Sequence, residues 1–363
     1  MSLSSTYRNP VTSRITATPA ISVAPMMDWT DRHYRYFARL LNRNALLYTE
    51  MVTVNACIHG NRDYLLGFDD TEHPVALQLG GDDPDAMAEA ARIGTDFGYD
   101  EININIGCPS ERVQQGNFGA CLMAEPELVV RLVEAMKKAT HLPVTVKHRI
   151  GIRGLESYED MRRFVDIVAG AEPARFTVHA RIAILEGLSP KENRTIPPLR
   201  YDDVYRLKEE RPNLEIEING GLKTVADCAA ALGRVDAVML GRAAYESPSV
   251  LGRLDADLFG VNPPTGREVI EAMADYAERH QERGVAPRHV FRHMLHVFSG
   301  VPGSRRYRQV LSGKIAPDAD VRELLTNAIA RIPDTVLDAP VGGEAASSMG
   351  DGATSPFGVR AAG

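Results

Sequence analysis

From residue 20 to about residue 250, short apolar runs rich in β-branched residues alternate with longer stretches in which apolar positions recur every three or four residues. The short runs are ISVAPM (21–26), LLYTEM (46–51), PVALQLG (74–80), EININIGC (101–108), PVTVKHRIG (143–151), RFTVHAR (175–181), EIEING (215–220) and AVMLGR (237–242). Such runs suit strands of a parallel sheet covered on both faces. The longer stretches, such as DPDAMAEAARIGTDFG, EPELVVRLVEAMKKA and SYEDMRRFVDIVAG, carry helical spacing with acidic residues in the first turn, where they favour the helix dipole. Strand–helix units of about 30 residues repeated eight times predict an α/β protein of the TIM (β/α)8 barrel type. A doubly wound open sheet normally has fewer strands and a GxGxxG after the first one. That fingerprint is absent.

The pattern changes after the eighth run. Residues 265–332 keep helical periodicity (REVIEAMADYAERHQERG, RHVFRHMLHVFSG, DADVRELLTNAIARI) with no strand signal, which predicts a C-terminal all-helical domain. The final GGEAASSMGDGATSPFGVRAAG is poor in large apolar groups and reads as a disordered tail. The expected organisation is a flexible arm over 1–19, a barrel over 20–260, a helical domain over 261–336 and a tail over 337–363.

Composition adds constraints. The 363 residues are 44% hydrophobic and 25% charged, with 41 Lys+Arg against 48 Asp+Glu for a net charge of −7. That is an ordinary globular composition, and neither a long apolar span nor a signal-peptide core is present. A cytoplasmic protein is expected, with no membrane partner and no obligate protein partner. The cysteines Cys57, Cys108, Cys121 and Cys228 form no CxxC pair, so neither a zinc ribbon nor a disulfide framework is indicated.

Candidate chemistry gathers where the strands end. In a TIM barrel the C-terminal strand ends carry the working residues, and here they hold Pro25, Met26 and Met27, then Glu50, Gln78, Asn105 with Cys108, Lys147 and His179. Amide, thiol, amine and imidazole groups converging on one mouth point to a site, because unsatisfied buried polar groups cost about 1–3 kcal/mol each. The last two runs end in EINGGL and VMLGRAA, placing Gly220, Gly221, Gly241 and Arg242 where barrels commonly hold a phosphate.

These strings have a familiar look. APMMDWTDRHYR, ALQLGG, NIGCPS, QGNFGACLM, VTVKHRIG, TVHAR, SPKENR, EINGG and LGRAAY closely resemble the tRNA-dihydrouridine synthases, in particular their A-type subfamily, from about residue 20 to about 312. The resemblance implies a flavin mononucleotide (FMN) barrel with a helical RNA-binding domain, reducing uridines 20 and 20a of the tRNA D-loop. It implies NADPH as electron donor, hydride transfer from reduced FMN to C6 and a proton from Cys108 to C5. Pro25, Met26, Met27, Gln78, Lys147 and His179 would surround the flavin, while Asn219, Gly220, Gly221, Gly241 and Arg242 would hold its phosphate. Asn105, with Lys191 and Arg194 of the SPKENR segment, would contact tRNA.

The chemistry is coherent with those roles. Hydride addition at C6 moves electron density toward C5, and a thiol with its ordinary pKa near about 8.5 is still an acid at neutral pH. Residues 288–317 include Arg288, Arg292, Arg305, Arg306, Arg308 and Lys314 with no Asp or Glu, a basic stretch inside an acidic protein that suits RNA phosphates. Arg305 and Arg308 are therefore expected to bind tRNA. His289, His293 and His296 imitate a metal motif but lack an acidic or thiol partner nearby, so no metal is expected. Two alternatives stay open: an FMN barrel dehydrogenating a free pyrimidine, and a non-catalytic RNA-binding protein.

Overall fold

The computed structural model describes residues 19–343. Eight parallel strands close a ring: β1 (Ile21–Val23), β2 (Leu46–Tyr48), β3 (Val75–Gly80), β4 (Glu101–Ile106), β5 (Val144–Arg149), β6 (Phe176–His179), β7 (Ile216–Asn219) and β8 (Ala237–Leu240). β1 pairs with β2 on one side and β8 on the other, and β2 pairs with β3, so no edge is left in the ring. A two-residue strand, Val52–Thr53, adds a short pairing to the end of β3. Each of the eight expected runs holds one strand of this TIM barrel.

The strands are shorter than the runs that announced them. The ladder leaves β1 with Ala24 N–H donating to Leu240 O (2.8 Å), after which Pro25 has no N–H to continue it. Pro25, Met26 and Met27 therefore lie in the loop beyond β1, Glu50 beyond β2 and Cys108 beyond β4.

Period-two alternation divides each strand between two environments. Ile102, Ile104 and Ile106 of β4 join the large apolar layer between strands and helices. A much smaller apolar cluster, Ala24, Leu46, Tyr48, Ala76 and Met239, stands apart from it. Glu101, Asn103 and Thr145 form a chain of hydrogen bonds: Asn103 Nδ2 donates to Thr145 Oγ1 (2.9 Å), and Thr145 Oγ1 donates to Glu101 Oε1 (2.6 Å). Arg175, just before β6, places Nη2 2.7 Å from Glu101 Oε2 and Nε 3.5 Å from Glu217 Oε2. Tyr48 OH and Ser22 Oγ donate to Glu101 and Glu217 respectively, both at 2.6 Å. This shared guanidinium and its hydroxyl partners make two fully buried carboxylates tolerable.

The helices between strands start where the sequence supplies caps. Asp83 caps Pro84–Asp96 by accepting from Ala86 N–H, and Ser157 with Asp160 forms a capping box on Tyr158–Val168. After β8 the chain forms Arg242–Glu246 and Ser249–Phe259, then Gly266–Gln281, Pro287–Phe291, Ser304–Leu311, Val321–Ile329 and Asp334–Leu337. The last five pack as a helical layer beside the barrel's first helix, Arg32–Leu41. Tyr276 stacks on Tyr36 (ring centroids 4.0 Å apart) and shares a hydrogen bond with His33 Nδ1 (2.9 Å).

Two expectations about this region need correction. The helical spacing across 288–300 does not yield one helix: it stops at Phe291, and turns follow that bury Met294 and Phe298. Local periodicity there records which side chains are buried, not a continuous helix. The expected tail also begins too early at 337, since Val341 is buried and its N–H donates to Pro264 O (2.8 Å). The remainder of that tail, and the N-terminal arm through residue 18, lie outside the described residues.

Candidate active site

An open cavity of about 2120 Å³ occupies the C-terminal mouth of the barrel and extends to the helical layer, where Arg288, His289 and Arg292 line it. Pro25, Met26, Met27, Gln78, Asn105, Cys108, Lys147, His179, Arg194, Asn219, Gly220, Gly221, Gly241 and Arg242 all line this cavity. Lys191, Arg305 and Arg308 do not. Lys191 is exposed just outside the cavity's Pro190, whereas Arg305 and Arg308 lie on the exposed side of helix Ser304–Leu311, whose Tyr307 and Leu311 face inward.

The floor is a relay of side-chain amides. Asn105 Nδ2 donates to Gln78 Oε1 and Gln78 Nε2 donates to Asn103 Oδ1, each at 2.8 Å. Asn105 Oδ1 accepts from the backbone N–H groups of Gly107 (3.0 Å) and Cys108 (2.9 Å). The side chain expected to contact a nucleotide thus also aims the cysteine loop, and most of its hydrogen-bonding capacity is engaged within the protein.

Cys108 lies in that loop with its thiol pushed above the ordinary value by burial, against the opposing pull of a Ser110 backbone hydrogen bond and of Arg149, Lys147 and Arg194. It is an acid held in its protonated form. Cys57 and Cys228 are buried packing residues, and Cys121 Sγ turns to Phe118 O (3.1 Å). Lys147 projects from β5 with Nζ 3.3 Å from Asn219 Oδ1. Burial, aided by Arg149, pulls its ammonium down to about 8, with Glu217 and Cys108 opposing. His179 is neutral, because burial and the neighbouring Arg149, Lys147, Arg181 and Arg194 all drive its pKa well below the usual value.

Arg149 and Arg181, both within the recognisable strings, take part in the site although neither was singled out. Arg149 Nε donates to Gly107 O (2.8 Å), and Nη1 donates to Ile182 O (3.0 Å) and Asn193 O (3.1 Å). One buried guanidinium therefore ties the cysteine loop to the segment after β6. Strand alternation could have revealed both: Arg149 shares a face of β5 with Lys147, and Arg181 stands two residues beyond His179. Lys147, Arg149, Arg181, Arg194 and Arg242 all line the cavity, and none is in an ion pair among the described residues. That wall is ready for an anion.

The glycine turns fit a phosphate by different means. Gly220 and Gly221 have φ of 111° and 74°, which side-chain-bearing residues rarely adopt, and a Cβ on Gly220 would lie 2.6 Å from His179 Cδ2. Gly241 has no such strain, but a Cβ there would project into open space, so the glycine leaves the backbone uncovered beside Arg242. The expected helix-dipole contribution is small, since the helix that follows, Arg242–Glu246, has five residues. Arg242 Nη2 reaches Arg194 O at 3.4 Å, leaving most of its donors free.

His293 clarifies the histidine-rich segment. Its acidic partner lies on the barrel: Asp31 sits 3.0 Å from His293 Nε2 and 2.6 Å from Arg292 Nη2 while capping Arg32–Leu41. No cluster of three or more metal-ligating side chains occurs among the described residues. Nor is any described helix long and apolar enough to cross a membrane.

Comparison with known proteins gives consistent matches. Residues 22–332 match the dihydrouridine synthase family model. The chain is 56% identical to a tRNA-dihydrouridine(20/20a) synthase of Synechocystis sp., over 85% of this chain and 93% of that protein. It is 53% identical to the protein of the same name in Pseudomonas aeruginosa, again over 85% of this chain and 93% of the relative. Among solved structures, a 2-naphthoyl-CoA reductase complex superposes with a TM-score of 0.51 at 12% identity, covering 66% of this chain and 50% of that one, a likeness of fold.

Proposed function

The chain belongs to the dihydrouridine synthase family, and on that premise we propose that it reduces uridine to 5,6-dihydrouridine at positions 20 and 20a of the tRNA D-loop. The observation that carries this reading is the Cys108 thiol, kept protonated by burial, in a barrel mouth whose wall of Lys147, Arg149, Arg181, Arg194 and Arg242 suits anionic ligands. A cavity of about 2120 Å³ exceeds what one small ligand typically fills, leaving room for a cofactor and a nucleobase together.

The residues present fit flavin mononucleotide. Gly220, Gly221, the uncovered backbone at Gly241 and the free donors of Arg242 would hold the phosphate, with Asn219 below them. Lys147, only loosely bonded to Asn219, keeps N–H donors free for an isoalloxazine edge, and Gln78, His179, Pro25, Met26 and Met27 would complete the enclosure. Held there and reduced at the expense of NADPH, the flavin would supply the hydride for C6 of the uracil.

The chain's own residues do the rest. Cys108 donates its proton to C5, on a loop whose height is fixed by Asn105 and Arg149. Neutral His179 would offer a hydrogen bond without adding charge, while the Lys147 ammonium would stabilise negative charge developing beside it. A uridine within folded tRNA must leave its stack to reach this mouth. Lys191, Arg194, Arg305 and Arg308 would hold the RNA backbone, making 20–260 the catalytic unit and 261–336 the tRNA-binding one. The proposed location is the cytoplasm, where the substrate is.

Unmodified tRNA transcript incubated with the flavin-loaded protein and NADPH should acquire dihydrouridine at positions 20 and 20a, read by nucleoside mass mapping. Absence of dihydrouridine anywhere would refute the reading. Arg242→Ala should purify nearly colourless, and full flavin occupancy in that variant would remove Arg242 from the phosphate site.

A further inference from the structure

Four large apolar side chains are strongly exposed among the described residues, Met27, Tyr64, Ile196 and Phe259, and Tyr64 is the most exposed at 78%. Tyr64 also lines the rim of the barrel cavity, on the connection from β2 to β3. In a closed ring of eight strands, this connection stands across the mouth from the Arg181–Arg194 segment that follows β6, four strands away. Beside it lies Arg32, a second cavity residue with no ion pair among the described residues.

We propose that Tyr64 and Arg32 form a nucleotide platform on this rim, stacking the RNA base next to the one admitted to the barrel and pairing its phosphate with the guanidinium. The proposal rests on the reading that tRNA is the substrate and adds a second grip on it, across the mouth from the 181–196 segment. None of the ring contacts among the described residues includes Tyr64, so both faces of this ring are free to stack on a base. The backbone that carries the ring is held in place. Tyr64 N–H donates to Asn61 Oδ1 (3.1 Å), Arg32 Nη2 donates to Tyr64 O (2.8 Å), and Leu66, two residues on, is fully buried with its carbonyl accepting from Tyr99 OH (2.6 Å). Arg62 braces the same turn through Cys57 O (3.2 Å) and Ile58 O (2.9 Å). An aromatic side chain on an anchored turn, with a guanidinium bonded to that turn's carbonyl, has only its own rotamer freedom to lose on stacking a base.

The test is equilibrium binding of tRNA to the flavin-loaded protein over a range of salt, with 2-aminopurine placed in the D-loop next to the target uridine. Tyr64→Ala should weaken binding about tenfold with an unchanged salt slope and lose the quenching of 2-aminopurine, because stacking releases no counterions. Tyr64→Phe should restore both. Arg32→Gln should lower the salt slope by about one. Phe259→Ala, exposed but away from the cavity, is the control and should bind as the unaltered protein does. Unchanged affinity and quenching in Tyr64→Ala would overturn the platform, as would an equal loss in Phe259→Ala. Failure of the unaltered protein to bind tRNA would instead reject the substrate reading, so the two failures are distinguishable.

Discussion

The thiol at 108 and the ammonium at 147 share one desolvated pocket, and burial moves their pKa values in opposite directions, in each case against the charged form. The thiol, raised, stays neutral; the ammonium, lowered to about 8, is still largely charged. The active form of Cys108 is the acid, so activity depending on it is retained at neutral pH and lost as pH rises through its raised pKa. A pH–rate profile for dihydrouridine formation is expected to fall in two stages, first as the Lys147 ammonium is lost near pH 8 and then as the Cys108 acid ionises at higher pH. Cys108→Ala should bind flavin and accept electrons from NADPH while forming dihydrouridine about 10²–10⁴-fold more slowly. Cys121→Ala, whose sulfur faces a carbonyl, should keep its rate. Stopped-flow absorbance separates the two halves: bleaching on NADPH, then recovery on tRNA. Cys108 was legible because its string is specific; Arg149 was not singled out, because its work is bonds to carbonyls at 107, 182 and 193, and such partners are set by loops folding together.

At the scale of the strands, alternation serves two ends of the same barrel. β4 carries Glu101, Asn103 and Asn105 on one face, and β5 sets Thr145 beside Asn103 and Lys147 beside Asn105, with Arg149 one step further along. Toward one end of this stripe lies the carboxylate pair held by Arg175; toward the other lies the site. Arg175→Met would leave Glu101 and Glu217 buried without their counter-charge, a loss of about 3–5 kcal/mol at neutral pH. Urea denaturation at neutral pH, compared with the unaltered protein, measures that loss, and an unchanged midpoint would show that the buried carboxylates do not depend on Arg175.

Across the whole molecule, the helical layer is joined to the barrel mouth by a small set of polar and aromatic contacts. Asp31 holds Arg292 and His293, and Tyr245 stacks between Trp29 (4.4 Å) and Tyr34 (5.2 Å) while bonding His293 Nδ1 (3.0 Å). Despite its burial, which pushes the other way, the Asp31 carboxyl is held well below the usual carboxylate range by His293, with help from His33 and the Tyr34 N–H, so this junction persists across the physiological pH range. Of the basic stretch, Arg292 is thus partly committed to the junction, whereas Arg305 and Arg308 remain exposed with no ion pair among the described residues. Arg305→Gln combined with Arg308→Gln should flatten the salt dependence of tRNA binding by about two in slope, if each meets one phosphate, without altering flavin content. Filter binding between low and physiological salt measures it, and an unchanged slope would take that helix out of the interface.

The barrel was readable in the chain because a closed parallel sheet needs a strand and a helix at every step, and each leaves a local imprint: eight β-rich runs, and caps such as Asp83 and Ser157. The site was readable for a related reason, since all eight strands deliver their ends to one mouth and residues there, such as Gln78, Lys147 and His179, become neighbours by topology alone. Local patterning failed where burial came from a distant partner. The spacing across 288–300 looked helical, but turns bury the same side chains; the carboxylate missing beside His293 comes from Asp31, some 260 residues away. Sequence periodicity records which face of a segment meets apolar surroundings. Which charge meets which, and how the helical layer sits on the mouth, depends on contacts between segments far apart in the chain, and only the tertiary structure decides them.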